Sequence, residues 1–396
     1  MGKPKILIVD DEPFNVDYIE QELEDSGCET TTAVNGQEAL DKVISETPDL
    51  ILLDIMMPVM DGFEVLSRLK MNPATRAIPV IVISASNDLK SVVRGIHLGA
   101  EDYLPKPFEP TLLSARISSC LVKKRLHDLE KLYLKSLERE LDIAREIQKG
   151  FLPLQLPSMG GWEIGAYFIA AREVAGDYYD AYLLPDGNLA CVVGDVCGKG
   201  VGAALYMALF RSLIRATSKT DCFFDLNGPL RLTNAERLQN VISFTNNYVA
   251  ETHGHTSMFS TVFICLINPR ENVLTYINCG NEPALLVSEG GIATELWPTG
   301  PIVGVIPNAQ FLTKEMVMGE NDLLLIYTDG ITDALNTSEA AFGRPRLADL
   351  VQRAQKNRDS CDSLLRNIEQ QLRQFIGEAV QFDDITALAL KRQAVR

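Results

Sequence analysis

The chain has 396 residues, is 46% hydrophobic and carries a formal net charge of −16 at pH 7, which indicates a globular protein with room for two domains and a connecting segment. This composition excludes a fibrous or a disordered chain. The acidic balance also argues against direct binding of nucleic acid, because such binding needs a basic surface that neutralises phosphates.

The first apolar run, KILIV, is too short for the hydrophobic region of a signal peptide and leads into acidic residues, so we expect a cytoplasmic protein. The most apolar stretch, DLILLDIMMPVM, is interrupted by Asp54 and is shorter than the ~18 residues of a membrane span, so no membrane segment is predicted. The eight cysteines include no Cys-x-x-Cys pair and lie mostly in apolar segments, which favours buried thiols over zinc ligands or disulfides.

Between Lys5 and about Leu121, five short apolar strands alternate with amphipathic helical patterns: KILIVD, ETTTAV, DLILLD, PVIVIS and EDYLPK. This alternation predicts an α/β fold of the flavodoxin-like type, in which helices cover both faces of a five-stranded parallel sheet. In such folds the functional site lies at the carboxyl ends of the strands.

Polar residues follow four of these strands. Asp10 and Asp11 end the first strand, Asp54 ends the third, Ser84 ends the fourth, and Lys106 follows the fifth. Adjacent carboxylates repel one another and raise one another's pKa, so an acidic pair of this kind indicates a bound cation. Beside such a cation Asp54 can attack a phosphoryl group and form an acyl phosphate, while Lys106 and Ser84 contact the phosphate oxygens.

The segments VDDE, LLDIMMPVMDG, ISA and YLPKPF resemble the receiver domains of two-component response regulators, and the resemblance covers residues 1–120. It implies that Asp54 accepts a phosphoryl group from a sensor histidine kinase or a phosphotransfer protein. It also implies that Tyr103 turns inward when Ser84 engages the phosphate, and that the peptide bond before Pro107 is cis. The implied ligands of a receiver Mg²⁺ are Asp10, Asp11, Asp54 and the backbone carbonyl of Met56.

From Leu121 to Gly150 the sequence is dense in Glu, Lys, Arg and Leu and has no interior Gly or Pro, which predicts one long helix. Its apolar positions recur about every 3.67 residues, the period of a coiled-coil seam with a stutter. Two interpretations remain open: a parallel coiled coil that joins two copies of the chain as a homodimer, or a single amphipathic helix docked on one domain. The stripe consists of Leu126, Leu129, Tyr133, Leu137, Leu141, Ala144 and Gln148.

The prolines and glycines of FLPLQLPSMGG end this helix, and longer strands follow: WEIGAYFIA, NLACVVGDV, FSTVFICLI, NVLTYIN, DLLLIYTD and ITALAL. Helical patterns occur in two pairs, GVGAALYMALFRSLIRAT with TNAERLQNVISFTNNYVAE, and RLADLVQRAQ with DSLLRNIEQQLRQFI. This order predicts an α+β architecture in which two packed antiparallel sheets are covered by helices.

Acidic residues recur at the ends of these strands, at Asp177, Asp195, Asp329 and the pair Asp383 and Asp384. Each alone is compatible with an ordinary turn, but carboxylates without His or Cys partners select a hard cation such as Mg²⁺ or Mn²⁺. Two such ions ~4 Å apart can activate a bridging water for attack on a phosphate ester. A Walker-type phosphate loop is excluded, because no Ser or Thr follows the lysine of GDVCGKGVG.

The segments AREVAGDYYD, GDVCGKG, YTDG and DDITAL, together with ELDIAREIQKGFLPLQLP, resemble bacterial PPM-type serine/threonine phosphatases of the RsbU and SpoIIE kind from about residue 138 to the end. By this resemblance, Asp195 bridges two Mn²⁺ or Mg²⁺ ions and the backbone carbonyl of Val196 binds one of them. Asp329 and Asp383 complete the shell of that ion, and Asp177 serves the second ion. The expected domains are a receiver at 1–120, a helical linker at 121–152 and a phosphatase domain at 153–396.

Further residues of this pattern have less direct expected roles. Asp180 and Asp384 are expected to act through water, and Arg172 either steers a phosphoserine or is an ordinary surface arginine. The sequence departs from the family pattern at three positions, where Ala175 replaces Gly, Asn281 replaces His, and Cys197 stands in the place of a general-acid His found in eukaryotic-type members.

The two resemblances together imply a response regulator that is phosphorylated on Asp54 and controls a metal-dependent phosphatase. The substrate expected from the family is a phosphoserine on a STAS-domain antagonist of an anti-sigma factor. The same domain order occurs in RssB-type adaptors, which bind a stationary-phase sigma factor for proteolysis and use a phosphatase-like domain as a binding module. An adaptor does not need the acids of the C-terminal pattern, so their presence favours the enzyme.

Overall fold

The computed structural model describes residues 3–24, 27–85, 89–107, 109–219 and 232–394, and it divides into two compact units, Met1–Glu138 and Arg139–Arg396. In the first unit, five parallel strands form one sheet in the order β2-β1-β3-β4-β5. Apolar clusters lie on both faces of this sheet, under helices. The predicted flavodoxin-like fold is therefore confirmed.

The helices and strands of the first unit follow the predicted alternation. The strands are short, and β1 and β3 are almost entirely buried, as their continuous apolar runs require. The elements in chain order are β1 (Lys5–Val9), α1 (Pro13–Glu24), β2 (Glu29–Ala33), α2 (Gly36–Glu46), β3 (Leu50–Asp54), α3 (Gly62–Met71), β4 (Val80–Ala85), α4 (Leu89–His97), β5 (Asp102–Lys106) and α5 (Pro110–Lys149).

Helix α5 differs from the prediction, because it begins at Pro110 rather than at Leu121 and continues for 40 residues without a break. Its first turns carry Leu113, Ile117 and Leu121, which pack into the core under the sheet. No Gly or Pro follows to end the helix, so the last helix of the first unit and the predicted linker are one element. The boundary expected at residue 121 falls inside it.

The second unit contains two antiparallel sheets of five strands, in the orders β13-β10-β9-β8-β7 and β12-β11-β14-β15-β6. One apolar cluster lies between the sheets and includes Phe263, Tyr276 and Leu388. A second cluster joins the first sheet to α6 and α7, and a third joins the second sheet to α9 and α10. The predicted arrangement of two packed sheets covered by helices is confirmed.

Four strands of the second unit, β7, β11, β12 and β13, were not predicted from the sequence. Three of them have four residues each, and β12 and β13 lie at sheet edges, so neither length nor continuous hydrophobicity identifies them. The elements are β6 (Trp162–Ile169), β7 (Tyr178–Leu183), β8 (Leu189–Val196), α6 (Val201–Ser218), α7 (Asn234–His253), β9 (Ser260–Asn268), β10 (Val273–Cys279), β11 (Ala284–Val287), β12 (Ala293–Leu296), β13 (Lys314–Val317), β14 (Leu323–Tyr327), α8 (Asp329–Thr332), α9 (Arg344–Asn357), α10 (Cys361–Ile376) and β15 (Ile385–Arg392).

The cysteines within the described ranges are all free thiols. Most of them are buried, as predicted, whereas Cys28 and Cys197 are half-buried and Cys222 lies outside the described residues. Among the helices that the structure describes, none combines the length and the apolar character needed to cross a membrane.

Candidate metal centres

The first site lies at the carboxyl ends of the parallel strands. Asp10, Asp11 and Asp54 each bring one carboxylate oxygen within 4.8 Å of the other two. The Nζ atom of Lys106 is 2.8 Å from Asp10 Oδ2 and 2.6 Å from Asp54 Oδ1. Three acids around one point, offset by a single lysine, fit a divalent cation with oxygen ligands. The fold therefore brings together the residues that the sequence placed at separate strand ends.

Hydrogen bonds hold the two buried acids of this site in place. Asn15 Nδ2 donates to both carboxylate oxygens of Asp10 at 3.1 Å, and the backbone N–H of Met56 donates to Asp54 Oδ2 at 2.9 Å. Burial raises the pKa of Asp54 above its ordinary value, while the hydrogen bond and charge of Lys106 act in the opposite direction. Met56 thus lies beside Asp54, and its role as a ligand through its carbonyl remains a prediction.

The predicted switch residues lie on the neighbouring strands β4 and β5, where Tyr103 pairs with Val82, two residues before Ser84. Ser84 is in β4, and its buried hydroxyl forms no hydrogen bond with any described residue. Tyr103 is in β5 and is half-buried. A buried hydroxyl without a partner is costly, so Ser84 fits a site that receives a polar ligand. The Lys106–Pro107 peptide bond is cis, as predicted.

The second site is built from the ends of strands in both sheets of the second unit. Tyr178 of β7 pairs with Gly194 of β8, which places Asp177 and Asp195 opposite each other at the end of this ladder. Tyr327 of β14 pairs with Ala387 of β15, so the ends of these two strands also meet. Three further acids lie there, since Asp329 begins α8 directly after β14, and Asp383 and Asp384 directly precede β15.

Burial, and after it the charges of neighbouring acids, raises the pKa of three of these carboxyls. Burial, with the charges of Asp329 and Asp383, raises the pKa of Asp195 to about 7. Burial and the charge of Asp383 raise the pKa of Asp329 to about 6. The pKa of Asp177 is also raised well above the ordinary value, by burial and then by Asp195. Carboxylates that destabilise one another in this way fit a cation that would offset their charge.

The acids of the second unit are spaced more widely than those of the first, because no trio of them within the described ranges has oxygens that lie within 4.8 Å of one another. Lys199 Nζ is 3.1 Å from Asp383 Oδ2, lies 3.7 Å from the centre of the Phe382 ring and also contacts the Phe382 carbonyl. From the sequence, this lysine served only to exclude a phosphate loop. Its place on a glycine-rich loop four residues after Asp195 was the available signal for a role at the site.

Asp177 is held by two threonines that the sequence analysis did not identify. Its Oδ2 atom accepts hydrogen bonds from Thr328 Oγ1 at 2.7 Å and from Thr386 Oγ1 at 2.6 Å. The backbone N–H of Thr386 in turn donates to Thr328 Oγ1 at 3.1 Å. The two hydroxyls come from the ends of β14 and β15, so this carboxylate of one sheet is tied to the other sheet.

The contacts of Asp384 and Asp180 do not support the expectation that these acids act through water at the site. Asp384 accepts backbone N–H groups of Ala171 and Gly176, each at 2.7 Å, and thereby holds the loop before Asp177. Asp180 is only 1% exposed and is bound by two arginines of α6. The Asp180 side chain faces α6 and α7, because Tyr178 and Tyr182, two residues away on either side, pack against these helices. Asp195 lies on the opposite face of the same sheet, the face to which Val193 belongs. The two arginines are Arg211 and Arg215.

Two glycines are required by close approaches of the backbone. A Cβ atom at Gly176 would lie 2.8 Å from the carbonyl oxygen of Val196, so this loop passes directly over the predicted backbone ligand. A Cβ atom at Gly330 would lie 1.8 Å from the carbonyl oxygen of Asp384. Only glycine allows the chain to pass at these distances.

The remaining sequence-predicted positions have varied surroundings. Arg172 is exposed and forms no ion pair with another described residue, so its role stays a prediction. Asn281 is buried, and its Nδ2 atom donates to the Tyr327 carbonyl at 3.0 Å, directly before the turn that carries Asp329. Cys197 accepts the backbone N–H of Phe259 at 3.3 Å through its sulfur. Asn281 therefore supports the site by fixing a strand end.

Each of the two units resembles a known protein family. The response regulator receiver domain family matches residues 6–118, and the family described as Stage II sporulation protein E (SpoIIE) matches residues 185–393. Protein IcfG of Synechocystis sp. is 40% identical over 265 residues, which are 64% of this chain and 41% of IcfG. The transcriptional regulator PhoP of Bacillus subtilis is 40% identical over 122 residues, 31% of this chain and 50% of PhoP. The chain thus spans half or less of the length of these relatives.

Two solved structures share the fold of the second unit. The RsbU and RsbW domains of Rv1364c from Mycobacterium tuberculosis match with a TM-score of 0.50 and 27% identity, over 62% of this chain and 64% of that one. The SiaA-PP2C domain of Pseudomonas aeruginosa matches with a TM-score of 0.55 and 20% identity, over 65% of this chain and 98% of that domain. The second likeness concerns the fold alone.

Proposed function

Because the chain belongs to the SpoIIE family through residues 185–393 and carries a response regulator receiver domain at residues 6–118, we propose that it is a response regulator that controls its own serine/threonine phosphatase domain of the PPM type. Asp54 accepts a phosphoryl group from a sensor histidine kinase or a phosphotransfer protein. The phosphatase domain hydrolyses phosphoserine on a partner protein, and the state of Asp54 sets its rate.

The receiver reaction is supported by the contacts around Asp54. Asp10, Asp11, Asp54 and the carbonyl of Met56 would hold Mg²⁺, which offsets negative charge on the incoming phosphoryl group. Lys106 already contacts both Asp10 and Asp54, so its ammonium group is placed to pair with phosphate oxygens. The Ser84 hydroxyl has no hydrogen-bond partner among the residues that the structure describes, so it is available to donate to the same group.

The phosphatase reaction is supported by the buried acids of the second unit. Asp177, Asp195, Asp329 and Asp383, with the carbonyl of Val196, would hold two Mn²⁺ or Mg²⁺ ions, which together supply an activated water when bound. Hard oxygen donors without His or Cys match these metals. Thr328 and Thr386 orient Asp177, and Asp384 fixes the loop that precedes it. These side chains hold Asp177 and the loop before it in place.

The set of acids at these strand ends is the single observation that favours an enzyme over an RssB-type adaptor. The raised pKa values of Asp195 and Asp329 mean that their ionised forms weaken the fold near neutral pH. A module that only binds a sigma factor does not need these acids, whereas a site for divalent ions needs their oxygens as ligands. The proposed substrate, a serine-phosphorylated STAS-domain protein in sigma-factor signalling, is supported by the resemblance to RsbU.

The exposed part of α5 supports a homodimer. Leu126, Leu129 and Tyr133 are between 51% and 65% exposed on a helix that is otherwise rich in charged residues. A second copy of the same helix would cover this stripe in a parallel coiled coil. Light scattering should give twice the mass of one chain, and Leu129→Lys should reduce it to that of a monomer while Lys131→Leu should not.

The function is tested with a serine-phosphorylated STAS-domain protein as substrate. Phosphate release is measured in Mn²⁺ and in chelator, before and after incubation with acetyl phosphate. We expect release only with Mn²⁺, at a rate that changes when Asp54 is phosphorylated. If the protein binds a sigma factor tightly and releases no phosphate from any phosphoserine protein, the adaptor interpretation replaces the enzyme.

A further inference from the structure

Gln148 is a buried polar side chain near the end of α5, a helix whose preceding turns are largely exposed. Its side-chain amide binds both backbone groups of one residue. Nε2 donates to the carbonyl oxygen of Ala175 at 2.7 Å, and Oε1 accepts the N–H of Ala175 at 2.9 Å. The planar amide presents its donor and acceptor side by side, so two parallel hydrogen bonds fix both the position and the orientation of this backbone segment. The apolar stripe predicted from the sequence therefore ends in a polar contact.

The segment that Gln148 holds leads directly to a candidate metal ligand, because Ala175 is two residues before Asp177. Arg145, one turn earlier on α5, donates through Nε to the carbonyl of Glu173 at 2.8 Å. From the other side, Asp384 accepts the N–H of Gly176. The loop before Asp177 is thus held between the end of α5 and the strand end that carries the acidic pair.

Loss of the Gln148 amide would affect this loop more than loss of the Arg145 contact. Ala175 is fully buried, so its N–H and carbonyl could not find water as replacement partners without a rearrangement. The Glu173 carbonyl is in an exposed part of the loop, where water can replace an arginine. The loop would move until the Ala175 groups are hydrated, and Asp177 would move with it.

We propose that Gln148 is a positioning residue, through which the end of α5 fixes Asp177 in the geometry that binds metal. This inference rests on the proposed function, since it assigns a metal to Asp177. A displacement of α5 would reach Asp177 through this contact, because any shift of the helix end moves the amide that holds Ala175.

The test compares Gln148→Leu with wild type in the full-length protein. Mn²⁺ binding is measured by the loss of the free-ion electron paramagnetic resonance signal, and phosphate release from p-nitrophenyl phosphate is measured against Mn²⁺ concentration. We expect one class of Mn²⁺ sites in Gln148→Leu to bind the ion on the order of tenfold more weakly than in wild type. Half-maximal phosphate release should need a correspondingly higher Mn²⁺ concentration. The receiver site is the same in both proteins, so its contribution cancels.

The matched control is Glu146→Gln, on the same turn of α5. Glu146 is exposed and pairs with Lys149 at the surface, so Mn²⁺ binding should stay as in wild type. If Gln148→Leu does not fold, Gln148→Glu takes its place. It has the same size and still accepts the Ala175 N–H, but its ionised carboxylate places a negative oxygen against the Ala175 carbonyl, so Mn²⁺ binding should weaken at least as much as in Gln148→Leu.

Unchanged Mn²⁺ binding in a folded Gln148 variant would overturn the inference, and so would a lower melting temperature with the same Mn²⁺ dependence, because that result marks a purely structural role. The proposed function is judged separately. If wild type releases no phosphate, the enzyme proposal fails, but the Mn²⁺ titration still decides whether Gln148 positions a metal ligand.

Discussion

Asp54 is buried beside two other acids, and Lys106 offsets part of their charge. The replacement Asp54→Ala removes the only carboxylate of the three that lies at the end of β3. We expect the variant to take up no acid-labile phosphate from acetyl phosphate, while its circular dichroism spectrum stays that of wild type. The control Asp41→Ala changes an exposed position of α2 and should take up acid-labile phosphate at the wild-type rate. Labelling of the Asp54 variant at the wild-type rate would refute the assignment.

Asp195 lies close to two other acids of the second unit, because burial and then the charges of Asp329 and Asp383 raise its pKa. Asp195→Asn keeps the shape of the side chain but removes one negative charge and one anionic ligand. We expect Mn²⁺-dependent phosphate release to fall by more than about 100-fold. Replacing a residue that only supports a metal ligand lowers activity by about 10- to 100-fold, and replacing the ligand itself should lower it further.

The control for this change is Asp349→Asn, which alters a surface ion pair with Arg353 on α9 and should leave phosphate release unchanged. Full turnover by Asp195→Asn would mean that the second unit does not use this site. A parallel loss with Asp329→Asn would assign both acids to one centre.

Helix α5 is continuous over 40 residues, so at 1.5 Å per residue it is roughly 60 Å long. Electrostatic interactions are screened over ~8 Å at physiological salt, so charge alone cannot carry a signal along it. We expect a flexible Gly-Ser insertion after Ser136 to abolish the effect of Asp54 phosphorylation on phosphatase turnover, while basal turnover remains.

The same insertion after Gly291, in the exposed turn between β11 and β12, should preserve the effect. Turnover that still responds to acetyl phosphate by the wild-type factor after the insertion in α5 would exclude mechanical coupling through this helix.

The sequence predicted the elements whose pattern is local. Continuous apolar strands such as β3 and amphipathic helices such as α10 were found where expected. The start of α5 was missed because nothing in the sequence marks an end for the last receiver helix. The roles of Thr328 and Thr386, and the contact of Gln148 with Ala175, were missed for a different reason. Each acts on a residue far away in the sequence, so its partner is visible only when β14, β15 and α5 are in place.

At the scale of the whole molecule, the acids of the second unit should make the metal-free protein sensitive to pH. Asp195 and Asp329 have folded-state pKa values of about 7 and about 6, above the ~3.9 of an unfolded aspartate. At pH values between ~3.9 and about 7, the folded state therefore holds more protons than the unfolded state. Their contribution to stability is fully present below about pH 4 and is lost as the pH rises through about 6 to 7.

We accordingly expect the melting temperature in chelator to be lower at pH 8 than at pH 5, with a loss of stability on the order of a few kcal/mol. Mn²⁺ should restore the melting temperature at pH 8, because cations offset the repulsion and bind the folded state. In chelator at pH 8, Asp195→Asn should melt above wild type. A metal-free protein whose melting temperature is flat across this range would contradict the raised pKa values.

The approach of Gly330 to the carbonyl of Asp384 limits how this sequence can diverge. A side chain at position 330 would collide with backbone rather than with a flexible side chain, so compensating substitutions elsewhere cannot easily relieve it. At Gly202, on the first turn of α6, a Cβ atom would have no atom of another described segment within 4 Å. In a saturation library sorted only for folded protein, position 330 should therefore remain glycine, whereas position 202 should accept alanine and many other residues.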